Sequence, residues 1–256
     1  MDSDAFFSLA DKVALVTGST RGIGKAIAEG FAAAGARVYV HGRSQADGEL
    51  VAEAIGGVAL HADLEQPDAV ERLAQEMALR EERVDVLVNN AGIEIGSVVE
   101  DLSLEVLERV LRVNFLAPVQ LTRLLLPLLR RAPDSSVINV SSIHDRIPYP
   151  GNSAYCAAKA ALDIFSRTLA IELGPQRVRV NTLSPGAVET DINRAVLDGI
   201  GRDNFAEWIP LGRVADVTEL IGPAVFLASA ASSYVTGARL VVDGGYSEHL
   251  VRYRSE

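Results

Sequence analysis

Lys12-Val13-Ala14-Leu15-Val16-Thr17-Gly18-Ser19-Thr20-Arg21-Gly22-Ile23-Gly24 begins as a short apolar strand, turns through three glycines and runs into the helix-like segment from Lys25 to Ala34. A glycine-rich turn between a strand and a helix lets backbone approach a pyrophosphate, whose charge the helix N-terminus stabilises. Gly18 is expected to permit the sharp turn, and Gly22 and Gly24 the close approach. The spacing G-x-x-x-G-x-G is not the dinucleotide fingerprint G-x-G-x-x-G. Taken alone, the turn marks a βα unit whose glycines serve either a phosphate or sterics.

Outward from this turn, strand-like runs recur at about 12–17, 36–41, 57–62, 84–88, 135–141, 177–183 and 238–242, with helix-like runs between them. This alternation predicts an α/β fold built on a doubly wound parallel sheet of about seven strands. Right-handed crossovers put helices on both faces and ligands at the carboxyl ends of the strands. Gly18, Asp63, Asn90, Ser142 and Pro185 each follow a strand candidate, so one edge of the sheet should collect them. No repeat or low-complexity linker divides the chain, and a single domain over 1–256 is expected. The stretch 187–215, AVETDINRAVLDGIGRDNFAEWIPLGRVA, mixes glycines, charges and the only tryptophan, Trp208. A long irregular connection of this kind beside a ligand site is expected to be a lid.

With 48% hydrophobic and 23% charged residues, the 256-residue chain has the composition of a soluble globular domain. Its net charge of −10 and pI near 5.0 argue against a nucleic-acid surface or a general attraction to anionic membranes. The single cysteine, Cys156, excludes an intrachain disulfide and a multi-cysteine metal cluster. No metal is expected, and a reducing cytoplasmic compartment fits. The acidic start, Met1-Asp2-Ser3-Asp4, is unlike a secretory signal, and no apolar stretch reaches the roughly 20 residues of a membrane span.

Chemistry concentrates in VSSIHDRIPYPGNSAYCAAKAAL, residues 140–162. Ala160, Leu162, Phe165, Leu169 and Leu173 predict a helix over 153–173, on which Tyr155 and Lys159 at i and i+4 share a face. A phenol, an ammonium and the upstream Ser142 hydroxyl are the parts needed to move a proton on and off an alcohol oxygen. A tyrosine acting as base near neutrality must titrate about 3 units below its ordinary value, a difference of roughly 4 kcal/mol. One positive charge at about 4.5 Å, at an effective dielectric of about 20, supplies ~3.7 kcal/mol. Lys159 is therefore expected to lower the Tyr155 pKa.

The ordered set TGSTRGIG at 17–24, Asp63, NNAG at 89–92, Asn114 in VNF, Ser142, Tyr155, Lys159, and Pro185-Gly186 with Thr190 resembles the short-chain dehydrogenase/reductase family over nearly the full chain. The resemblance implies a single Rossmann-like domain with a catalytic tetrad of Asn114, Ser142, Tyr155 and Lys159. It further implies a nicotinamide cofactor held by Gly18, Ser19, Thr20, Arg21, Gly22, Ile23 and Gly24, by Asp63 and Leu64, by Asn90, Ala91 and Gly92, and by Pro185, Gly186, Val188 and Thr190. Tyr155 acts there as general acid/base, Ser142 as hydrogen-bond donor, and Lys159 also binds the nicotinamide ribose. Asn114 holds a water of the proton relay. Asp63 either contacts the adenine or caps the next helix. The family resemblance also implies a homotetramer or dimer, with Val235–Glu256 near a subunit contact.

Charge separates the two cofactors. NAD-dependent relatives usually carry an acid for the adenosine ribose where this chain has Gly42, so no carboxylate repels a 2′-phosphate. Arg21, Arg43 and Ser44 could bind that dianion. NADP(H) is favoured, with NAD(H) as the other option.

The substrate is a carbonyl compound or secondary alcohol. The family's common form after the serine is Ser-x-x-Gly, whereas this chain reads Ser142-Ile143-His144-Asp145, similar to the bacterial glucose and polyol dehydrogenase branch. Glu94, His144, Asn193 and Trp208, with Ser142 and Tyr155, are the candidate substrate contacts for a sugar, sugar acid or polyol. The other reading of Glu94 and His144 is as exposed loop residues with no ligand contact. The alternative enzyme is a 3-oxoacyl-carrier-protein reductase, for which Arg130 and Arg131 could dock the acidic partner, although Ile171 replaces a second docking arginine. A non-catalytic NADP-sensing protein is the remote alternative, disfavoured by the intact tetrad.

Overall fold

The structure, a computed structural model, describes residues 3–249. The chain runs α1 (Ser3–Phe7), β1 (Val13–Val16), α2 (Gly22–Ala33), β2 (Arg37–Gly42), α3 (Gln45–Ile55), β3 (Val58–His61), α4 (Ala69–Arg80), β4 (Val86–Asn89) and α5 (Leu104–Leu111). A π-helical turn, Arg112–Leu116, leads into α6 (Ala117–Leu129), then β5 (Ser135–Val140), α7 (Ser153–Leu173) and β6 (Val178–Pro185). Last come α8 (Asp191–Ile200), α9 (Arg202–Ala206), α10 (Ile221–Ala228) and β7 (Arg239–Val242). Residues 250–256, the end of the segment expected at a subunit contact, lie outside the described residues.

All seven strands form one parallel sheet in the order β3-β2-β1-β4-β5-β6-β7. The order reverses between β1 and β4, which opens a crevice at the carboxyl ends of those two strands. Alternation within the strands sorts the core into two layers. Leu15, Leu87 and Val137 face Leu73, Met77, Leu121 and Leu125 of α4 and α6. Ala14, Val16, Val88 and Ile138 face Ile27 and Phe31 of α2 and Leu227 of α10. Each fully buried leucine, isoleucine or phenylalanine contributes roughly 1.5–3 kcal/mol, so the two layers together fix the register.

Local signals set the helix ends. Ser44 accepts from the Asp47 amide at 3.3 Å to start α3, which stops at Gly56 with φ +66°. Ser103 accepts from the Val106 amide at 3.2 Å to start α5. The expected helix over 153–173 is α7. The stretch 187–215 departs from expectation: most of it is helical, as α8 and α9. Leu197, Phe205 and Ile209 pack there against Trp208, Ile200 and Tyr246, and this apolar pairing is what orders a segment that reads as irregular.

A buried polar chain crosses beneath the crevice. Asn89 donates to Asn139 at 2.7 Å and to Thr122 at 3.1 Å, Asn139 donates to Ser166 at 2.7 Å, and Ser166 donates to the Leu162 carbonyl at 2.6 Å. These bonds join β4, β5, α6 and α7 and satisfy groups that would otherwise be costly inside the core.

Candidate active site

The glycine turn sits at the mouth of a cleft of about 980 Å³. Gly18 has φ +63° and Gly22 φ +56°, both in the left-handed region that glycine adopts without penalty. A Cβ on Gly18 would come within 2.8 Å of Ala91 Cα. Gly24 has a packing duty as well: a Cβ there would collide with the Asn90 side chain and the Gly18 carbonyl, so this glycine lets α2 abut the turn itself. Asn90 locks the arrangement by donating to the carbonyls of Thr17 at 2.9 Å and Gly18 at 3.0 Å. The Thr17 hydroxyl accepts from the amides of Asn90 and Ala91 at 2.9 and 3.1 Å.

Ser19 does not line the cleft. It is fully buried, donates to the Val16 carbonyl at 2.7 Å and accepts from the His41 amide at 3.0 Å, so its hydroxyl joins β1 to β2. Thr20, Arg21, Gly22, Ile23 and Gly24 do line it. At the head of α2, Arg21 makes no side-chain cap and no acid occupies the first turn. The helix end therefore offers amide donors and a positive dipole end, the donor set that a pyrophosphate requires.

His41 supports the turn from below. Its Nδ1 accepts from the Gly18 amide at 3.2 Å, which makes Nε2 the donor to the Ala62 carbonyl at 3.1 Å. Burial lowers its pKa to about 4, so the ring is neutral at physiological pH. The sequence signal for it was a histidine inside an otherwise apolar strand, next to Gly42.

At the end of β2, a Cβ on Gly42 would strike the Thr20 side chain, so the absence of an acid there has a steric cause as well. Ser44 heads α3, and Arg43 and Ser44 both line the cleft. Both arginines also have acidic neighbours that sequence reasoning missed. Arg43 lies 3.8 Å from Glu65, and Arg21 lies 3.7 Å from Asp191. Asp63 and Leu64 line the cleft, and Asp63 accepts from the Glu65 amide at 3.1 Å. It closes a turn rather than capping a helix, because the cap position of α4 belongs to Asp68.

Asn114, Ser142, Tyr155 and Lys159 all line the same cleft, beside Gly92. The π-helical turn carries Asn114, whose Nδ2 donates to the carbonyls of Ile93 at 2.8 Å and Val110 at 2.9 Å while Oδ1 accepts from the Ile93 amide at 3.2 Å. Both amide hydrogens are thus committed to backbone, and Asn114 braces the segment after β4. The Ser142 hydroxyl accepts from the His144 amide at 3.2 Å.

Lys159 is buried, donates from Nζ to the Val140 carbonyl at 2.8 Å, and lies 5.7 Å from the centroid of the Tyr155 ring. Burial lowers its pKa to about 8, with the Asp145 carboxylate acting in the opposite sense. The expected lowering of the Tyr155 pKa is not what this arrangement gives. Burial, and next the Glu94 carboxylate, push the phenol above its ordinary range, while the Ser142 hydrogen bond draws it back in part. In this state the phenol is a proton donor.

The remaining wall is aromatic and weakly acidic. His144 stacks on Tyr149 with centroids 4.6 Å apart and donates from Nδ1 to the Ile147 carbonyl at 3.0 Å. Burial lowers the pKa of His144 and raises that of Glu94, and both residues line the cleft. Trp208 packs on Phe205 at 5.2 Å, and its carbonyl accepts from His249 Nδ1 at 3.0 Å. Tyr149, Tyr246 and His249 line the cleft without having been singled out in the sequence. The Asn193 side chain lies outside the described residues. Pro185, Gly186, Val188 and Thr190 form the far lip, with Thr190 opposite Gly22.

A seven-stranded parallel sheet with a glycine turn, an Asn-Ser-Tyr-Lys set and one shared cleft defines a nicotinamide-type oxidoreductase site. Comparison with known proteins agrees. A family model described as enoyl-(acyl carrier protein) reductase matches residues 18–247. D-threitol dehydrogenase of Mycolicibacterium smegmatis is 35% identical over 95% of this chain and 96% of its own length. The 3-oxoacyl-(acyl-carrier-protein) reductase FabG of Aquifex aeolicus is 37% identical over 93% of this chain and 98% of its own. A crystal structure of gluconate 5-dehydrogenase from Burkholderia cenocepacia, in complex with NADP and tartrate, superposes with a TM-score of 0.91 at 31% identity, covering 97% of this chain and 100% of that one. The chain belongs to the short-chain dehydrogenase/reductase family and is an oxidoreductase acting on alcohol or carbonyl groups.

Proposed function

We propose that this enzyme uses NADP(H) to interconvert a polyhydroxylated carbonyl compound and its secondary alcohol. The observation that carries the reading is the convergence of the Tyr155 phenol, the Ser142 hydroxyl and the buried Lys159 on one cleft with the glycine turn. Two similar proteins named above act by name on polyhydroxy compounds, and one was crystallised with NADP. The open head of α2, with Arg21, Arg43 and Ser44, fits a cofactor with several phosphates.

When bound, the nicotinamide supplies or accepts the hydride. The chain handles the proton and the charge. Tyr155 Oη donates the proton to the carbonyl oxygen in reduction and takes it back in oxidation. The Ser142 hydroxyl donates a hydrogen bond to the same oxygen as its charge grows. Lys159 places a cation beside both and offers hydrogens to the nicotinamide ribose. Gly18, Thr20, Gly22 and Ile23 hold the pyrophosphate, and Val188 and Thr190 hold the carboxamide. Asn114 keeps the wall of the relay in place. Glu94, His144 and Trp208 contact the substrate, under a lid formed by 187–215.

Exposed Leu104, Leu116, Ile164 and Ile171 on α5, the π-helical turn and α7 support a homotetramer or dimer. Among the described residues no helix is long and apolar enough to cross a membrane, which supports a cytoplasmic enzyme. The reductase of 3-oxoacyl thioesters stands as the second reading because FabG proteins are among the relatives. Its docking arginines do not help it within one subunit: Arg130 bonds Gln176 and Arg131 donates to the Glu82 carbonyl at 3.1 Å, at the end of α6 away from the cleft. A panel of polyols, sugars, sugar acids, ketones and acyl thioesters, followed by nicotinamide absorbance with both cofactors, tests the proposal. Turnover confined to acyl thioesters would overturn it.

A further inference from the structure

Asp145, in the turn after the catalytic serine, carries a carboxylate with no exposed side-chain surface. Removing a carboxylate from water costs several kcal/mol unless it is paired and fully hydrogen-bonded. Asp145 is both. Arg239 of β7 donates from Nε to its two oxygens at 3.0 Å each and from Nη2 to Oδ1 at 2.6 Å. Ser184 of β6 donates to Oδ2 at 2.9 Å. The backbone of the same residue closes the turn that begins at the catalytic serine, its amide donating to the Ser142 carbonyl at 3.2 Å. Within that turn the Ser142 hydroxyl accepts from the His144 amide at 3.2 Å. The turn that presents Ser142 is therefore riveted to the last two strands through one side chain.

We propose that Asp145 is a positioning residue: clamped by Arg239 and Ser184, it fixes the Ser142–Asp145 turn and with it the Ser142 hydroxyl relative to Tyr155 and Lys159. The inference rests on the proposed role of that tetrad. A glycine at 145 can close the same turn but has nothing to hold it to the sheet. The charge has a second consequence. Asp145 faces Lys159 and Tyr155 of α7, and its carboxylate favours the protonated form of each. The other titratable groups bearing on the cluster are Glu94 and Cys156 on Tyr155, and Asp163 and Asp243 on Arg239, with Asp163 itself paired to Arg146 and Arg167. Replacing Asp145 by a neutral isostere thus withdraws the carboxylate that opposes deprotonation of Lys159.

The test uses the full chain with Asp145→Asn, Arg239→Gln, Arg239→Lys and, as control, Tyr155→Phe. Readouts are kcat and KM, the pH profile of kcat, and cofactor affinity by fluorescence. A displacement of the reacting groups by about an ångström lowers turnover by up to about 100-fold. Asp145→Asn and Arg239→Gln should therefore lose roughly 10- to 100-fold in kcat, with cofactor affinity unchanged within about twofold. The alkaline limb of the Asp145→Asn profile should move to lower pH, and Arg239→Lys should recover part of the loss. A folded Asp145→Asn with wild-type kcat and pH profile, beside an inactive Tyr155→Phe, overturns the inference and leaves the tetrad standing. An active Tyr155→Phe overturns the tetrad instead. Should Asp145→Asn fail to fold, the Arg239 pair decides: equal activity of Arg239→Gln and wild type refutes the clamp.

Discussion

Lys159 donates its Nζ proton to the Val140 carbonyl at 2.8 Å, inside a wall that leaves the ammonium almost no water. The bond offsets only part of the burial, and the pKa falls from 10.5 to about 8. Between those values the unfolded chain holds a proton that the native state has lost, so stability rises with pH across that window. Below about pH 8 the charged lysine costs about 3 kcal/mol. Lys159→Met should accordingly be more stable at pH 7 in denaturant titrations, by up to about 3 kcal/mol, and inactive. A less stable variant would show that the bond to Val140 outweighs the burial.

Tyr155→Phe removes the proton donor without touching the glycine turn. Turnover should fall by about 10²–10⁴, while the dissociation constant for NADPH stays near that of the wild type. Near-normal kcat in this variant would remove Tyr155 from the chemistry.

His41 predicts an acid-labile step. Its pKa drops from 6.5 in the unfolded chain to about 4 in the fold, so the contribution is complete above pH 6.5 and is lost as pH falls toward 4. The total is about 3 kcal/mol. Equilibrium unfolding measured from pH 7 to 4 should show this loss, and His41→Leu should flatten that part of the curve. An unchanged slope in the variant would assign the acid sensitivity to other groups.

The acidic neighbours of the arginines give a cofactor prediction with two signs. Arg43→Ala should raise the KM for NADPH by roughly tenfold or more and leave that for NADH little changed, as expected for one charge-assisted phosphate contact of about 1.5–3 kcal/mol. Glu65→Gln should lower the KM for NADPH, because Arg43 then has one competitor fewer at 3.8 Å. Gly42→Asp should weaken both cofactors, since its Cβ displaces Thr20. Equal wild-type use of NADH and NADPH would place both arginines in solvent.

Strands, their order along the chain and the helix over 153–173 were legible because apolar periodicity and turn residues are local signals. The residues lining the cleft were legible as a set through their motif spacing. Ser19, Gly24 and Asn114 were assigned to ligand or water, and the structure gives each a packing role distinct from ligand contact: the Ser19 hydroxyl links the Val16 carbonyl to the His41 amide, a Cβ on Gly24 would meet Gly18 and Asn90, and Asn114 Nδ2 donates to the Ile93 and Val110 carbonyls. That distinction depends on which strand lies alongside, as with His41 beneath Gly18 and Arg239 beside Asp145. Likewise the Tyr155–Lys159 spacing was correct, but the pKa followed from burial, which a helical wheel does not contain.

The small core of Leu197, Phe205 and Ile209 with Trp208 and Tyr246 is separate from the two layers that clasp the sheet. With 187–215 as the proposed substrate lid, mutations there would reshape the wall facing the substrate while the sheet, the glycine turn and the residues Ser142, Tyr155 and Lys159 keep their packing. Such a division lets one scaffold diversify its substrates by small steps, each tolerable on its own, and it makes 187–215 the natural unit to transplant between relatives when a new specificity is sought.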